Sequence, residues 1–278
     1  MLCYELKKNG KRKIFAVVIF LTVVICFFTF LMCQVTNMYN NEYSEYIPLW
    51  EYLALYWMYG MIILDIIILA HVSIFPQEEK NAMSQILMCS QFGRGQLAKA
   101  KMILALLGTN IIIMLFIVSS LIGYVVAFDF DFKIPIIEDY DIIYAINSTV
   151  NTSGDLLFIM LFTFIFTANF TALFSMYISA KLNNPYLACV LLFIGCFVSL
   201  FSLNPEIGVF FALTPLGNYI VIAENLQAMF SLGSLTLTPH LLSVIITFIF
   251  ICILLKKIKN IYAASGDVRP QRGLRFFL

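Results

Sequence analysis

The sequence predicts an all-α polytopic membrane protein, a single domain of six transmembrane helices with both termini cytoplasmic. Three observations carry that prediction. Apolar runs of about 20 residues are long enough to cross a hydrocarbon core of about 30 Å, and the chain holds six of them. All but one of its 17 Lys and Arg fall on one side of the resulting layout, Lys133 being the exception. With 62% hydrophobic and 12% charged residues among 278, little chain remains outside the bilayer for a folded soluble domain.

The spans are expected at Ile14–Cys33, Leu53–Phe75, Met102–Phe128, Leu156–Ile178, Tyr186–Leu203 and His240–Leu255. Cytoplasmic segments keep the Lys and Arg excess. Here that excess comprises Lys7, Lys8, Lys11, Arg12 and Lys13 before the first span, Lys80, Arg94, Lys99 and Lys101 after the second, Lys181 after the fourth, and six more from Lys256 to Arg275 after the sixth. Most acids sit opposite, among them Glu42, Glu45, Glu51, Asp129, Asp131, Glu138, Asp139, Asp141, Glu206 and Glu224. A net charge of +1 therefore conceals a strong polarity across the membrane. The first apolar run lacks a small-residue cleavage site at its end, so it reads as a retained span.

The second span carries Asp65 near its middle, where an acid costs about 2.5 to 3.5 kcal/mol to insert, so it should face protein or water. Thr109 and Asn110 are its candidate partners. It is either a hydrogen-bonded acid between helices or a lining residue of a substrate path. Tyr52, Tyr56, Trp57 and Tyr59 at the outer end of this span have the composition of an interfacial aromatic belt.

The connection from Pro76 to Lys101, about 26 residues, is the longest on the inner side and far below the roughly 100 to 150 residues typical of a folded domain. Pro76 can open a helix there, and Glu78 and Glu79 suit the positive end of its dipole. Met83, Ile86, Leu87 and Ser90 share one face at three- and four-residue spacing. Gly93 and Gly95 flank Arg94 as an elbow, and a basic turn leads into the third span. Spacing alone fits a membrane-surface helix that joins two spans.

The fourth span repeats Thr163, Thr167, Thr171 and Ser175 at four-residue intervals, with Asn169 nearby. Such hydroxyl stripes mark helix contacts, and contact with a substrate is the sharper reading. Between the fifth and sixth spans the chain is apolar but broken by Asn204-Pro205, Gly208, Thr214-Pro215, Gly217 and Gly233, so it cannot be one helix. A re-entrant or outer helical element is expected, with Pro205 and Pro215 at a candidate outer gate. Phe128-Asp129-Phe130-Asp131-Phe132 gives a weak strand signal.

Several chemistries are missing from the pattern. No Gly-x-x-x-x-Gly-Lys-Ser/Thr phosphate loop occurs, and no His-Glu-x-x-His or Cys-x-x-Cys, so neither an ATPase site nor a metal site is expected in this chain, and no residue is assigned as catalytic. Nothing calls for nucleic acid as a partner. The seven cysteines lie in spans or on the inner side, so disulfides are not expected.

Tyr4-Glu5-Leu6-Lys7-Lys8 before the first span, together with the run from Glu78 through Ile86-Leu87 and Gly93-Arg94 to Ala98-Lys99, resembles the ABC-2 permease family, the membrane subunits of type-two ABC exporters. Ala82-Met83-Ser84 and Phe92-Gly93 depart from the Gly-Thr and Pro-x-Ser of many members. The resemblance implies an exporter subunit without its own ATPase site. Its inner helix, through Glu78, Glu79, Ile86, Leu87, Gly93 and Arg94, would couple to two cytoplasmic ATPase subunits that bind ATP and Mg. A second permease copy and membrane lipid are the other expected partners, and the expected location is the plasma membrane of a bacterium. The expected cargo is a hydrophobic or amphipathic molecule such as a peptide, a bacteriocin-like toxin or a drug. The alternative is a non-transporting scaffold or immunity protein that binds a toxin or sensor through its acidic outer loops.

Overall fold

The computed structural model describes residues 13–43, 57–72, 93–127, 153–182, 187, 190–191, 194, 230–232, 235–237 and 239–264. These form five α-helices and one hairpin: α1 (Lys13–Tyr43), α2 (Met58–Val72), α3 (Gly93–Ala127), α4 (Ser153–Leu182), β1 (Phe230–Leu232), β2 (Leu235–Leu237) and α5 (Pro239–Ala264). Residues 187, 190–191 and 194 are helical, within the expected fifth span.

Each of the five helices overlaps an expected span, and the bounds differ where local chemistry permits extension. Two helical stretches, Gln96–Ala127 of 32 residues and Leu157–Leu182 of 26, are long and apolar enough to cross a membrane. At 1.5 Å per residue they measure about 48 and 39 Å, against a core of about 30 Å. α1, α3, α4 and α5 are longer than hydropathy alone proposes. α1 continues ten residues past Cys33, and α5 runs on through Lys256, Lys257 and Lys259 to Ala264. A helix already nucleated extends at little cost, and Lys is among the better helix formers. α4 starts at Ser153, with Asp155 in its first turn and Lys181 in its last. Both charges are matched to the helix dipole. Pro239 opens α5, where its missing N–H costs nothing.

The start of α3 corrects the expected elbow. Gly93, Arg94 and Gly95 are the first residues of the helix, and Lys99 and Lys101 belong to its second and third turns. Leu97 and Ala98 are already buried there. That contact holds the helix in place of the turn the glycines suggested.

In the connection between the expected fifth and sixth spans, residues 230–232 and 235–237 are strands where a helical element was expected. β1 and β2 pair antiparallel with Phe230 opposite Leu237, Ser231 opposite Thr236 and Leu232 opposite Leu235. Pro205, Pro215 and the rest of that connection lie outside the described residues, as does Phe128–Phe132.

α1 packs chiefly on α3, α5 on α4, and α2 on α4, while α3 and α4 pack on each other. The core is built from Leu64, Ile68, Ile113, Phe116, Phe164, Leu173 and their neighbours. Outward faces are apolar too: Phe20, Phe27 and Phe28 of α1, Ile111, Ile122 and Val126 of α3, and Phe248 and Ile249 of α5 are exposed. An apolar surface of this extent is compatible with a membrane protein and costly in water. Cys26 and Cys252 are thiols in no disulfide.

Candidate functional site

Most of the buried polar side chains among the described residues belong to α2, α3 and α4. Five contacts fix the levels of these helices. Trp57, the residue before α2, donates from Nε1 to Ser120 Oγ of α3 at 2.6 Å. Its ring lies 6.3 Å from that of Phe116 on α3 and 5.6 Å from that of Phe164 on α4. Gly60 of α2 leaves the space taken by the Phe116 ring, and Gly108 of α3 that taken by the His71 ring of α2. A Cβ at Gly108 would lie 2.7 Å from His71 Nε2. The two helices thus exchange a ring for a glycine at each end of their contact, and they run antiparallel.

Between α3 and α4 the tie is a reciprocal amide pair. Asn110 Nδ2 donates to Asn169 Oδ1 and Asn169 Nδ2 donates to Asn110 Oδ1, both at 3.1 Å. Each amide spends its second N–H on its own helix, Asn110 on Leu106 O at 2.8 Å and Asn169 on Ile165 O at 2.7 Å. Every N–H of the two amides is used, so this pair is stable within an apolar contact. Phe164 stands level with Phe116 and Ser120, and Asn169 with Asn110, so α4 is antiparallel to α3.

On this scale Asp65, about midway between Gly60 and His71, stands level with Thr167. His71 stands level with Thr171. Around α2, Trp57 and Ile68 fall on one flank of Asp65, about 60 to 80° away from it. α4 covers that flank through the contact between Trp57 and Phe164. Asp65 is 2% exposed, and His71 and Lys101 are also buried. Thr163, Thr167, Thr171, Ser175 and Ser179 are all buried on α4, as is Thr109 on α3.

These contacts correct the expected partners of Asp65. Both donors of Asn110 are committed elsewhere, and Thr109 Oγ1 has no hydrogen-bond partner. Trp57 also differs from expectation. It is 0% exposed, locked between α3 and α4, so it anchors the bundle and belongs to no interfacial belt. A Trp in a run of three Tyr reads the same in either role. Only Ser120, 63 residues away, decides it.

The structure buries Asp65, Thr163, Thr167 and Thr171, all singled out in the sequence. It adds His71, Lys101 and the Asn110–Asn169 pair. Asn169 could have been found by its place between Thr167 and Thr171. His71 and Lys101 had no sequence signal, since both stand at the ends of apolar runs, where polar residues are ordinary. Gly93 and Arg94 open α3, while Glu78, Glu79, Ile86 and Leu87 lie outside the described residues. Among the described residues no cluster of three His, Cys, Asp or Glu is placed to hold a metal. Comparison with known proteins returns no family model, no curated protein and no solved structure that matches this chain.

Proposed function

We propose that this chain is the membrane subunit of an ATP-driven exporter, with six spans and cytoplasmic termini in a bacterial plasma membrane. It moves a hydrophobic or amphipathic molecule outward. Two separate ATPase subunits dock on its inner face and hydrolyse ATP with Mg, and a second copy of the chain completes the pathway. Charge sorting, span spacing and the segment from Glu78 to Lys99 support this reading.

The observation that carries it furthest is the continuity of α3. From Gly93, at the inner connection, to Ala127 the helix is unbroken over 35 residues. Leu97 and Ala98 lock its first turns into the bundle. A push on Glu79 or Arg94 from an inner partner is then passed on as a rigid-body displacement of α3. Through the amide pair and the Phe116 contact that motion reaches α4 and α2. Asp65 and the α4 hydroxyls lie on the moving contact, which suits them to a path wall that changes as the helices shift.

The test is ATP hydrolysis by candidate ATPase subunits reconstituted in lipid with the chain and with its Glu79→Lys, Arg94→Glu variant. A partner that co-purifies, and whose turnover falls on reversal of these charges, supports the exporter. Binding of no ATPase, with loss of toxin or sensor binding on Asp139→Asn or Asp141→Asn, replaces it with the scaffold reading.

A further inference from the structure

The packing of α5 on α4 decides where basic residues from three separate stretches meet. Phe166 of α4 faces Phe248 of α5 with ring centroids 6.2 Å apart, Phe170 faces Phe250 at 6.2 Å, and Tyr177 carries the Lys257 ammonium 5.9 Å from its ring centre. The partner numbers rise together, so the two helices run parallel. With α3 antiparallel to α4, the last turns of α4 and α5 and the first turns of α3 lie at one end of the bundle. Arg94, Lys99 and Lys101 of α3, Lys181 of α4, and Lys256, Lys257 and Lys259 of α5 belong to that end. Asp155, the only acid in α4 or α5, stands in the first turn of α4, at the other end.

Two of these cations share a groove. At about 100° per residue, Lys181 and Phe174 are turned about 40 and 60° forward from Tyr177 around α4. On α5, Phe250, Lys257 and Ile253 are turned about 40, 60 and 100° backward from the buried Leu254. Between parallel neighbours the forward flank of one adjoins the backward flank of the other, so these residues line one side of the α4 and α5 contact. Along that side the apolar residues come first and the cations last. Phe250 and Ile253 are 44% and 43% exposed, Phe174 is partly buried, and Lys257 and Lys181 are exposed. Lys181 lies one turn, about 6 Å, beyond Tyr177. Lys259 is turned about 160° from Lys257 and is exposed on the far side of α5.

An apolar strip that ends in two cations, with no carboxylate from either helix beside them, complements a lipid whose headgroup is negative. The Lys257 stem lies along the Tyr177 ring and carries its ammonium toward the end of the bundle. We propose that this groove binds one anionic phospholipid, its phosphate held between Lys181 and Lys257 and an acyl chain laid along Phe174, Phe250 and Ile253. A zwitterionic lipid has the same phosphate but adds a third cation beside the two ammoniums, so it is held less well. The site needs the chain to lie in a bilayer and needs no ATPase, so it stands apart from the exporter reading.

The test uses the full chain in detergent micelles doped with phosphatidylglycerol or phosphatidylcholine, with bound lipid counted by native mass spectrometry. The expected result is one retained phosphatidylglycerol, with phosphatidylcholine held about tenfold more weakly. Lys181→Gln and Lys257→Gln each weaken retention of phosphatidylglycerol about fivefold, and together about thirtyfold. Lys259→Gln changes it by less than about twofold, since an exposed charge across the helix is screened. Inorganic phosphate in excess leaves the lipid bound, which separates a lipid site from a phosphate site. The proposal is overturned if the two lipids are retained alike, or if inorganic phosphate displaces the lipid. It is also overturned if Lys259→Gln weakens retention as much as Lys257→Gln, which would make the end of the bundle a diffuse basic rim with no site.

Discussion

Thr22 on α1 and Thr171 on α4 are the same residue type, both 0% exposed and both within apolar helices, yet their hydroxyls are treated differently. Thr22 satisfies itself on Val18 O, whereas Thr171 has no partner in the protein. Thr247 on α5 follows Thr22, and Thr109, Thr163 and Ser175 follow Thr171. Thr22 and Thr247 thus ask nothing of their surroundings, whereas Thr109, Thr163, Thr171 and Ser175 are not satisfied on their own helices. Burial alone therefore does not report what a polar residue does: on α3 itself Ser119 Oγ bonds Phe116 O while Thr109 Oγ1 has no partner.

Within the seam the strongest structural element is Trp57, which joins all three helices. Trp57→Ala removes a fully buried ring and leaves a void, so a loss of about 3 to 5 kcal/mol is expected in equilibrium unfolding in mild detergent. Trp57→Phe keeps most of the volume and loses the bond to Ser120 Oγ, at about 1 to 2 kcal/mol. If both variants unfold at the native denaturant concentration, Trp57 is not the anchor and the levels assigned to the helices lose one of their ties.

The Asn110–Asn169 pair is the satisfied counterpart of the unpaired hydroxyls beside it. Asn110→Leu or Asn169→Leu alone strands the partner's amide in the α3 and α4 contact, with an expected cost of about 1 to 3 kcal/mol each. Changing both to Leu removes the stranded group, so the double variant should cost less than the sum of the singles. Additive losses would show that the amides are hydrated independently and that the seam is wet even at this level.

The helices were legible because hydropathy averages over about 20 residues, and α3 and α4 keep their apolar character over that length. The hydroxyl ladder was legible too, since a four-residue period needs no knowledge of neighbours. What escaped depends on long-range partners. The Phe116 ring against Gly60 and the His71 ring against Gly108 require two helices to approach closely, and a lone glycine in an apolar run carries no mark of its counterpart. Lys101 reads as a cytoplasmic charge until its helix is seen to be packed from Leu97 onward. The extension of α3 back to Gly93 follows from that packing, which overrides the local preference of two glycines.

The smallest expected effect is the most informative about the division between helices. Val18 O also accepts the helix amide, so Thr22→Val loses a shared bond and leaves no group stranded, and its stability change should stay within about 0.5 kcal/mol. Thr171→Val is the same exchange in volume and chemistry, which makes the difference between the two substitutions a reading of the seam itself. In a dry seam Thr171→Val relieves a stranded hydroxyl and stabilises the fold by about 1 kcal/mol or more. In a hydrated seam it strands a water instead, and the fold loses a similar amount. The sign of the difference in unfolding midpoint between Thr171→Val and Thr22→Val thus separates a seam built for packing alone from one built to hold water.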